Sequence, residues 1–510
     1  MHSHRQLLQR LALLTALLSI PAAPVVVAET RPAQVAGQFY PQERAELRRL
    51  VQDLLEGQPS PSLSRKPRIL IVPHAGYQYS GPVAGRAFRE AQGHSYDGVV
   101  VVGFTHRGQF AGASVDDREA YETPLGTLRV NLDAVRFLQA QQPLLRTREE
   151  AHASGEHSLE VMLPFIQVAL GNVPLVPILM GSASLEDAEA LAQALAALAG
   201  RGDYLFVFST DLSHYHPDED ARRRDEVTVN AILGETPQAL SRLFEEGVLE
   251  ACGRGPILVS ALLSARLGYL RSELLKYANS GDTAGDRSRV VGYAAIGMVE
   301  RDLPPQSQLS EEAGMALVRA ARLVLDMHLN PSKYEDRVVP LGLDNVPELA
   351  KAQGIFVTLR RQGLLRGCIG RIETDQPLAS SLPTVALDAA LRDPRFPPVR
   401  GDDLDDIHIE VSVLTPPQRL ARTQELVAGR DGVVLEAQGH HGVFLPTVWT
   451  ETGWTRVEFL RELASQKAGL PPDAWRSAAL FVFQDQVFEE PRHSSYDGRD
   501  EPLPADRIAH

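Results

Sequence analysis

Four short runs of β-branched and other apolar residues, Ile69–Val72, Val99–Val102, Leu175–Leu179 and Leu205–Phe208, alternate with stretches of helical periodicity. This pattern constrains the first part of the chain to an α/β fold, because runs apolar on both faces belong to a mostly parallel sheet flanked by helices. Between the last two runs, Ser184-Leu-Glu-Asp187 opens an alanine- and leucine-rich stretch to Ala199 with Gly200 beyond it, which predicts a capped helix. Leu159, Met162, Leu163 and Ile166 share a second helical face, with Pro164 leaving its first turn open.

Three of the four runs lead into a histidine: Pro73-His74, Gly103-Phe-Thr-His106 and Ser209-Thr-Asp211-Leu-Ser-His214. In open α/β sheets ligands bind beyond the carboxyl ends of the strands, so residues more than a hundred positions apart converge at one edge. A single histidine after a strand is ordinarily a hydrogen-bonded core or surface residue. Three of them, together with Cys252, predict a metal site. Two imidazoles from His74 and His106 and the Cys252 thiolate form a half-open set acceptable to iron, copper or zinc. His214 would then transfer protons while Asp211 sets its tautomer, the alternative for Asp211 being a helix N-cap.

The bulk numbers exclude several classes. With 510 residues, 44% hydrophobic and 23% charged, the chain has globular composition and more length than one ordinary core needs. A net charge of −14 with no basic stripe argues against nucleic-acid binding, and Arg222 to Arg224, flanked by Asp220 and Asp225, reads as a solvated helix face. Arg5 and Arg10, the apolar stretch from Leu11, and Val26-Val27-Ala28 have the form of a signal peptide over residues 1–28 cut after Ala28. The expectation is a periplasmic or secreted protein with no membrane contact after cleavage, an uncleaved anchor being the alternative. Cys252 and Cys368, the only cysteines, fall in different expected domains and are not expected to pair. Each stands in what reads as a Gly- and Arg-rich turn, where guanidinium charge would favour a thiolate.

Over residues 31–302 the chain resembles the Memo family. The matching stretches are Ala36-Gly-Gln-Phe-Tyr-Pro41, Pro73-His-Ala-Gly-Tyr77, Gly103-Phe-Thr-His106, Tyr121-Glu-Thr-Pro-Leu125, Glu156-His-Ser158, Ser209-Thr-Asp-Leu-Ser-His214, Cys252-Gly-Arg254 with Pro256, and Tyr277-Ala-Asn-Ser280. The resemblance implies a fold similar to the class III extradiol dioxygenases, with His74, His106 and Cys252 at the family's metal-ligand positions and Asp211 and His214 in the same pocket. His157 is a further pocket candidate, as an orienting residue before a ligand. Sulfur in place of a carboxylate shifts preference toward softer metals, so dioxygenase activity does not follow from the fold.

Residues 303–308, with Pro304 and Pro305, read as a linker, after which Ser310 caps a helix carrying Leu317, Leu323, Val324 and Met327. Residues 309–492 resemble the AMMECR-type family, of α+β fold, at Leu365-Arg-Gly-Cys-Ile-Gly370, Asp393-Pro-Arg-Phe-Pro-Pro398, Ile409-Glu-Val-Ser-Val-Leu414, Phe444-Leu-Pro446 and Gly453-Trp454, leaving 493–510 as a tail. Alternation in Ile407–Val413 predicts a half-buried strand. Cys368 is a reactive-thiol candidate, with Arg366 and Arg371 as anion donors, or it is small core packing beside glycines that permit a tight turn. His440-His441 is read as solvated. The two resemblances together make the chain similar to components A and B of the AmmeMemoRadiSam system fused. That implies a radical-SAM partner, which an exported protein would not meet in a reducing interior.

The expectation drawn from these residues is a bound metal ion, iron favoured and copper or zinc acceptable, and with iron or copper a non-haem metal oxidoreductase acting on a small substrate of which aromatic molecules are the first candidates. The alternatives are a non-catalytic iron- or copper-handling protein and, less favoured in the absence of an H-E-x-x-H motif, a zinc hydrolase.

Overall fold

The computed structural model describes residues 29–300 and 309–491 apart from 109, 144, 153–154, 336–338 and 344. The expected signal peptide, linker and tail lie outside the described residues. Among the described residues no helix is long and apolar enough to cross a membrane. They form two compact units. One holds residues up to 222 with Ala251–Ser260 and Leu274–Gly297, and the other holds Arg223–Glu250, Ala261–Glu273 and the residues from Met298 onward.

The four apolar runs of the first unit are strands: β1 (Pro67–Val72), β2 (Gly98–Phe104), β3 (Leu175–Met180) and β4 (Tyr204–Ser209). They lie in the order β1–β4–β2–β3, all parallel, with Val72 beside Ser209 and Val102 beside Phe208. Their side chains are almost entirely buried, as a sheet covered on both faces requires. Two further strands, β5 (His214–His216) and β6 (Val290–Val299), extend the sheet beyond β1 and pair antiparallel with each other. On the other side β3 pairs antiparallel with Ala113–Val115, so the parallel order is confined to the centre.

Helix α1 (Tyr77–Ala91) follows β1 directly, and α2 (Leu163–Ala169) begins after a 3-10 turn over Glu160–Met162, with Pro164 in its first turn where a missing N–H costs nothing. The helix α3 (Leu185–Ala199) starts at its Ser184 cap and stops at Gly200, as its sequence predicts. Helix α4 spans Asp218–Gly234, with Arg222 paired to Asp218 on its solvated side, and α5 spans Arg254–Arg266.

In the second unit Ser310 caps α6 (Glu311–Leu329), on which Leu317 and Val324 are buried and Leu323 and Met327 only partly so. A seven-stranded sheet follows, formed by β7 (Ile355–Arg361), β8 (Leu364–Arg371), β9 (Ile407–Leu414), β10 (Asp431–Ala437), β11 (His440–Phe444) and β12 (Ala479–Glu489), with Gln418–Arg419 against β12. All of these pairs are antiparallel, and α6 with α7 (Leu378–Leu391) covers β7 and β9 in one core. This is the α+β arrangement expected. A separate core around Trp449 and Phe459 lies against β10 and β11. The short helix α8 (Arg456–Glu462) belongs to it.

The expected turn around Cys368 is instead strand β8, at the sheet edge. Its glycines serve close approach rather than turning: a Cβ on Gly367 would stand 2.2 Å from the Ala389 carbonyl, and one on Gly370 2.4 Å from that of Ile355.

Candidate metal centre

Because β1, β4 and β2 run parallel and in register, their carboxyl ends open on one edge, and the residues that follow each strand meet there. His74 comes from β1, His106 from β2 and Asp211 from β4, while Cys252 arrives from the turn before α5. That turn fits against the end of β4 only because residue 253 is glycine: a Cβ there would lie 2.6 Å from both the Ser209 carbonyl and Thr210 Cβ. The Gly253 amide donates to Thr210 Oγ1 at 2.9 Å and the Cys252 amide to the Asp211 carbonyl at 3.2 Å.

The ligand atoms of His74, His106 and Cys252 all lie within 4.8 Å of one another. Cys252 Sγ stands 3.4 Å from His74 Nε2 and accepts the Asp211 amide at 3.2 Å. The hydrogen bonds decide which ring nitrogens face inward. Ser209 Oγ donates its one proton to the Ser158 carbonyl at 2.6 Å, so its 2.7 Å contact with His74 Nδ1 is an N–H donated by the ring. Nε2 is left with its lone pair toward the sulfur. His106 Nδ1 likewise faces Glu156 Oε1 at 3.2 Å, a carboxylate that can only accept, which frees the second Nε2.

Electrostatics keep this set poised for a cation. Burial, then the imidazoles of His157 and His106, hold His74 well below the usual histidine range, so the ring is neutral. Burial also works to raise the Glu156 carboxyl, but bonds from the His106 ring and from the amides of His106 and Ser158 outweigh it and bring the group down to about 2. Glu156 is therefore a fixed negative charge behind His106. Burial and the Asp211 carboxyl push the Cys252 thiol up to about 12. The expectation that nearby arginine would favour a thiolate is thus corrected: desolvation and a carboxyl neighbour dominate, and a bound cation is what would remove that proton.

Asp211 caps no helix. Its carboxylate accepts the His74 amide at 2.8 Å, fixing the loop that presents that histidine, and burial pushes it up to about 7. His214 opens β5, opposite Val291, close enough to His74 to lower its proton affinity. The His157 ring stacks on His106, with centroids 4.5 Å apart, and lies 4.5 Å from the Phe39 ring, an arrangement that orients His106 by packing. The residues behind the ligands that sequence reasoning missed are Ser209 and Glu156. Both stand in motifs quoted above, but their partners are 135 and 50 positions away.

The second-unit candidates do not assemble in the same way. Both cysteines are free, as expected. Cys368 Sγ accepts from Thr358 Oγ1 at 3.3 Å, and burial raises its thiol despite the cations of Arg395 and Arg360. Cys368 and Arg371 are three apart on a strand and face opposite sides, while Arg366 donates to the Pro398 carbonyl at 3.4 Å. The charged neighbours of Cys368 are Asp393, which accepts its amide at 2.8 Å, and Arg395, which donates to its carbonyl at 3.0 Å. His440 Nδ1 is 2.9 Å from the Ala468 carbonyl, and His441 is exposed at the start of β11.

These features define an α/β protein with a candidate two-histidine, one-cysteine metal centre at the carboxyl edge of a parallel sheet. The Memo-like protein family matches residues 31–297, and AMMECR1 matches 318–488. The chain belongs to the Memo-like family, with an AMMECR1 domain following in the same polypeptide. It is 37% identical over 278 residues to a MEMO1 family protein of Ignicoccus hospitalis, covering 52% of this chain and 97% of that one. It is 36% identical to one of Methanothermobacter thermautotrophicus, covering 52% and 99%. Among solved structures, an uncharacterized protein from Pyrococcus horikoshii is 39% identical, covering 36% of this chain and 93% of that one at a TM-score of 0.33.

Proposed function

We propose that His74, His106 and Cys252 hold one divalent or redox-active metal ion, iron favoured and copper or zinc acceptable, and that with iron or copper the protein is a non-haem metal oxidoreductase for a small molecule, aromatic substrates being the first to test. The observation that carries the reading is the pair of anchored Nδ1 atoms. Both Nδ1 atoms are held by partners, which leaves each Nε2 lone pair free, and the ligand atoms of the two imidazoles and of Cys252 share one small space. Bond lengths of about 2.0–2.3 Å to nitrogen and sulfur are within reach of such a set after small side-chain shifts. Three protein ligands leave room for substrate, and a bound ion of this kind would supply Lewis acidity or one-electron chemistry.

The chain's own residues do the rest. Ser209 and Glu156 fix ring orientation, Asp211 fixes the His74 loop, and His214 is the proton carrier at the opening. The relation to extradiol dioxygenases belongs to this reading, as does an extracytoplasmic site of action. It is tested by aerobic turnover of Fe(II)-loaded protein against phenolic and indolic compounds. Consumption of a substrate by the native chain and its loss in His74→Ala supports the oxidoreductase. Loss of metal in His74→Ala with no substrate consumed by the native chain replaces it with a metal-handling protein.

A further inference from the structure

The second unit contains a cavity of about 880 Å³, walled by the strand Gln418–Arg419 and the loop after it, by α8, by Trp475 and Arg476, and by the start of β12. Its size is that of a small-molecule site. Four arginines line it: Arg419, Arg422, Arg456 and Arg476. Two are already engaged, Arg422 with Glu425 at 2.8 Å and Arg476 with Asp473 at 3.8 Å. The exposed Arg419 has no carboxylate partner among the described residues.

Arg456 is the unusual one. Its Nε and Nη2 are buried with no hydrogen-bond partner, Nη2 packed against Gly234 where any side chain would collide with it, and Nε1 of Trp475 is likewise buried and unpartnered. Each is a donor that cannot accept, and a buried donor without a partner is destabilising, the more so when it is charged. The wall also holds one carboxyl, Glu235, which accepts the Arg456 amide at 2.9 Å and whose proton affinity is raised by burial. With Arg422 and Arg476 already paired, Arg419 and Arg456 stand against that one carboxyl, and the balance stays positive. Between the charges the lining is apolar, including Leu420, Leu460 and Leu480, and a bare inorganic anion would leave most of the volume empty.

We propose that this cavity binds a small organic anion, a phosphate or carboxylate head on a flat apolar body. Arg456 and Trp475 form the polar part of the wall that takes the head, and Arg419 supplies charge at the mouth. Charge-assisted bonds from a guanidinium suit either oxyanion head, while the leucines and the Trp475 ring take the body.

The test is calorimetric titration of the full chain with phenyl phosphate, benzoate and inorganic phosphate. Saturable binding of phenyl phosphate or benzoate at about 1 mM or tighter, stronger than inorganic phosphate, is expected, and the tighter of the two identifies the head. Arg456→Gln should weaken it about tenfold or more. Arg419→Ala, at an exposed residue whose loss does not threaten folding, should weaken it about threefold, with metal content unchanged in both. Trp475→Phe keeps the ring and removes the donor, and should weaken the head alone. Absence of saturable binding by both aromatic anions, or binding undiminished in Arg419→Ala and Arg456→Gln, overturns the proposal.

Discussion

Cys252 and Cys368 are both free, both largely buried, and both have thiols raised by burial, yet they sit in opposite kinds of surroundings. Around Cys252 two distant strand ends deliver imidazole nitrogens with their lone pairs turned inward. Around Cys368 one neighbouring strand delivers a hydroxyl, and an arginine–aspartate pair holds the backbone. The same contrast runs through the buried carboxyls. Glu156 accepts from three backbone amides and an imidazole and is drawn down to about 2, whereas Asp485 on β12 keeps a buried oxygen without a partner and is pushed up to about 7. A buried polar group signals a ligand site when its neighbours are satisfied and their remaining lone pairs converge. Without convergence, burial alone makes a thiol inert.

The largest expected effect separates the two cysteine environments. His74→Ala or His106→Ala should remove most of the bound metal, read by elemental analysis of purified protein, while Cys368→Ser should keep the native content. Next, Glu156→Gln should leave the fold intact but weaken metal binding about 10–100-fold, since it loosens the tautomer and orientation of His106. A competition titration against a chelator reads that change, and unchanged affinity would make Glu156 a structural carboxylate only.

Much of the first unit was legible because its chemistry is periodic. The four runs became parallel strands, the Ser184 cap and Gly200 stop bounded α3, and the histidines after three runs fell on one edge. What the chain did not disclose were pairings set by tertiary contact: Ser209 with His74, and Glu156 with His106. The glycines around Cys368 misled in a specific way. They resemble turn residues, but here they allow strand β8 to pass close to the Ala389 and Ile355 carbonyls, a need with no local signature. Arginines near both cysteines in sequence suggested thiolates, and desolvation outweighed them.

The carboxyl half of the contrast predicts a pH effect. The Asp485 value in the folded chain lies above that of an unfolded aspartate, so its neutral form suits the fold. Its contribution to stability is complete below about pH 4 and is lost as pH rises through about 7. Asp485→Asn should therefore be the more stable protein by up to about 4 kcal/mol at pH 8, with the gap closing toward pH 4 in denaturant titrations. A gap independent of pH would show that Asp485 does not titrate in that range. The smallest effect is Thr358→Val, which removes the hydroxyl donor to Cys368 and should cost about 1 kcal/mol or less, with metal content unchanged.

The most direct measurement is a cobalt(II) titration of the full chain beside Cys252→Ser, following the ultraviolet thiolate-to-metal charge-transfer band. One ion per chain with that band, lost in Cys252→Ser and kept in Cys368→Ser, is the predicted result. A native chain that binds cobalt without the band, or a Cys252→Ser variant that retains it, would contradict a centre built from two imidazoles and this sulfur.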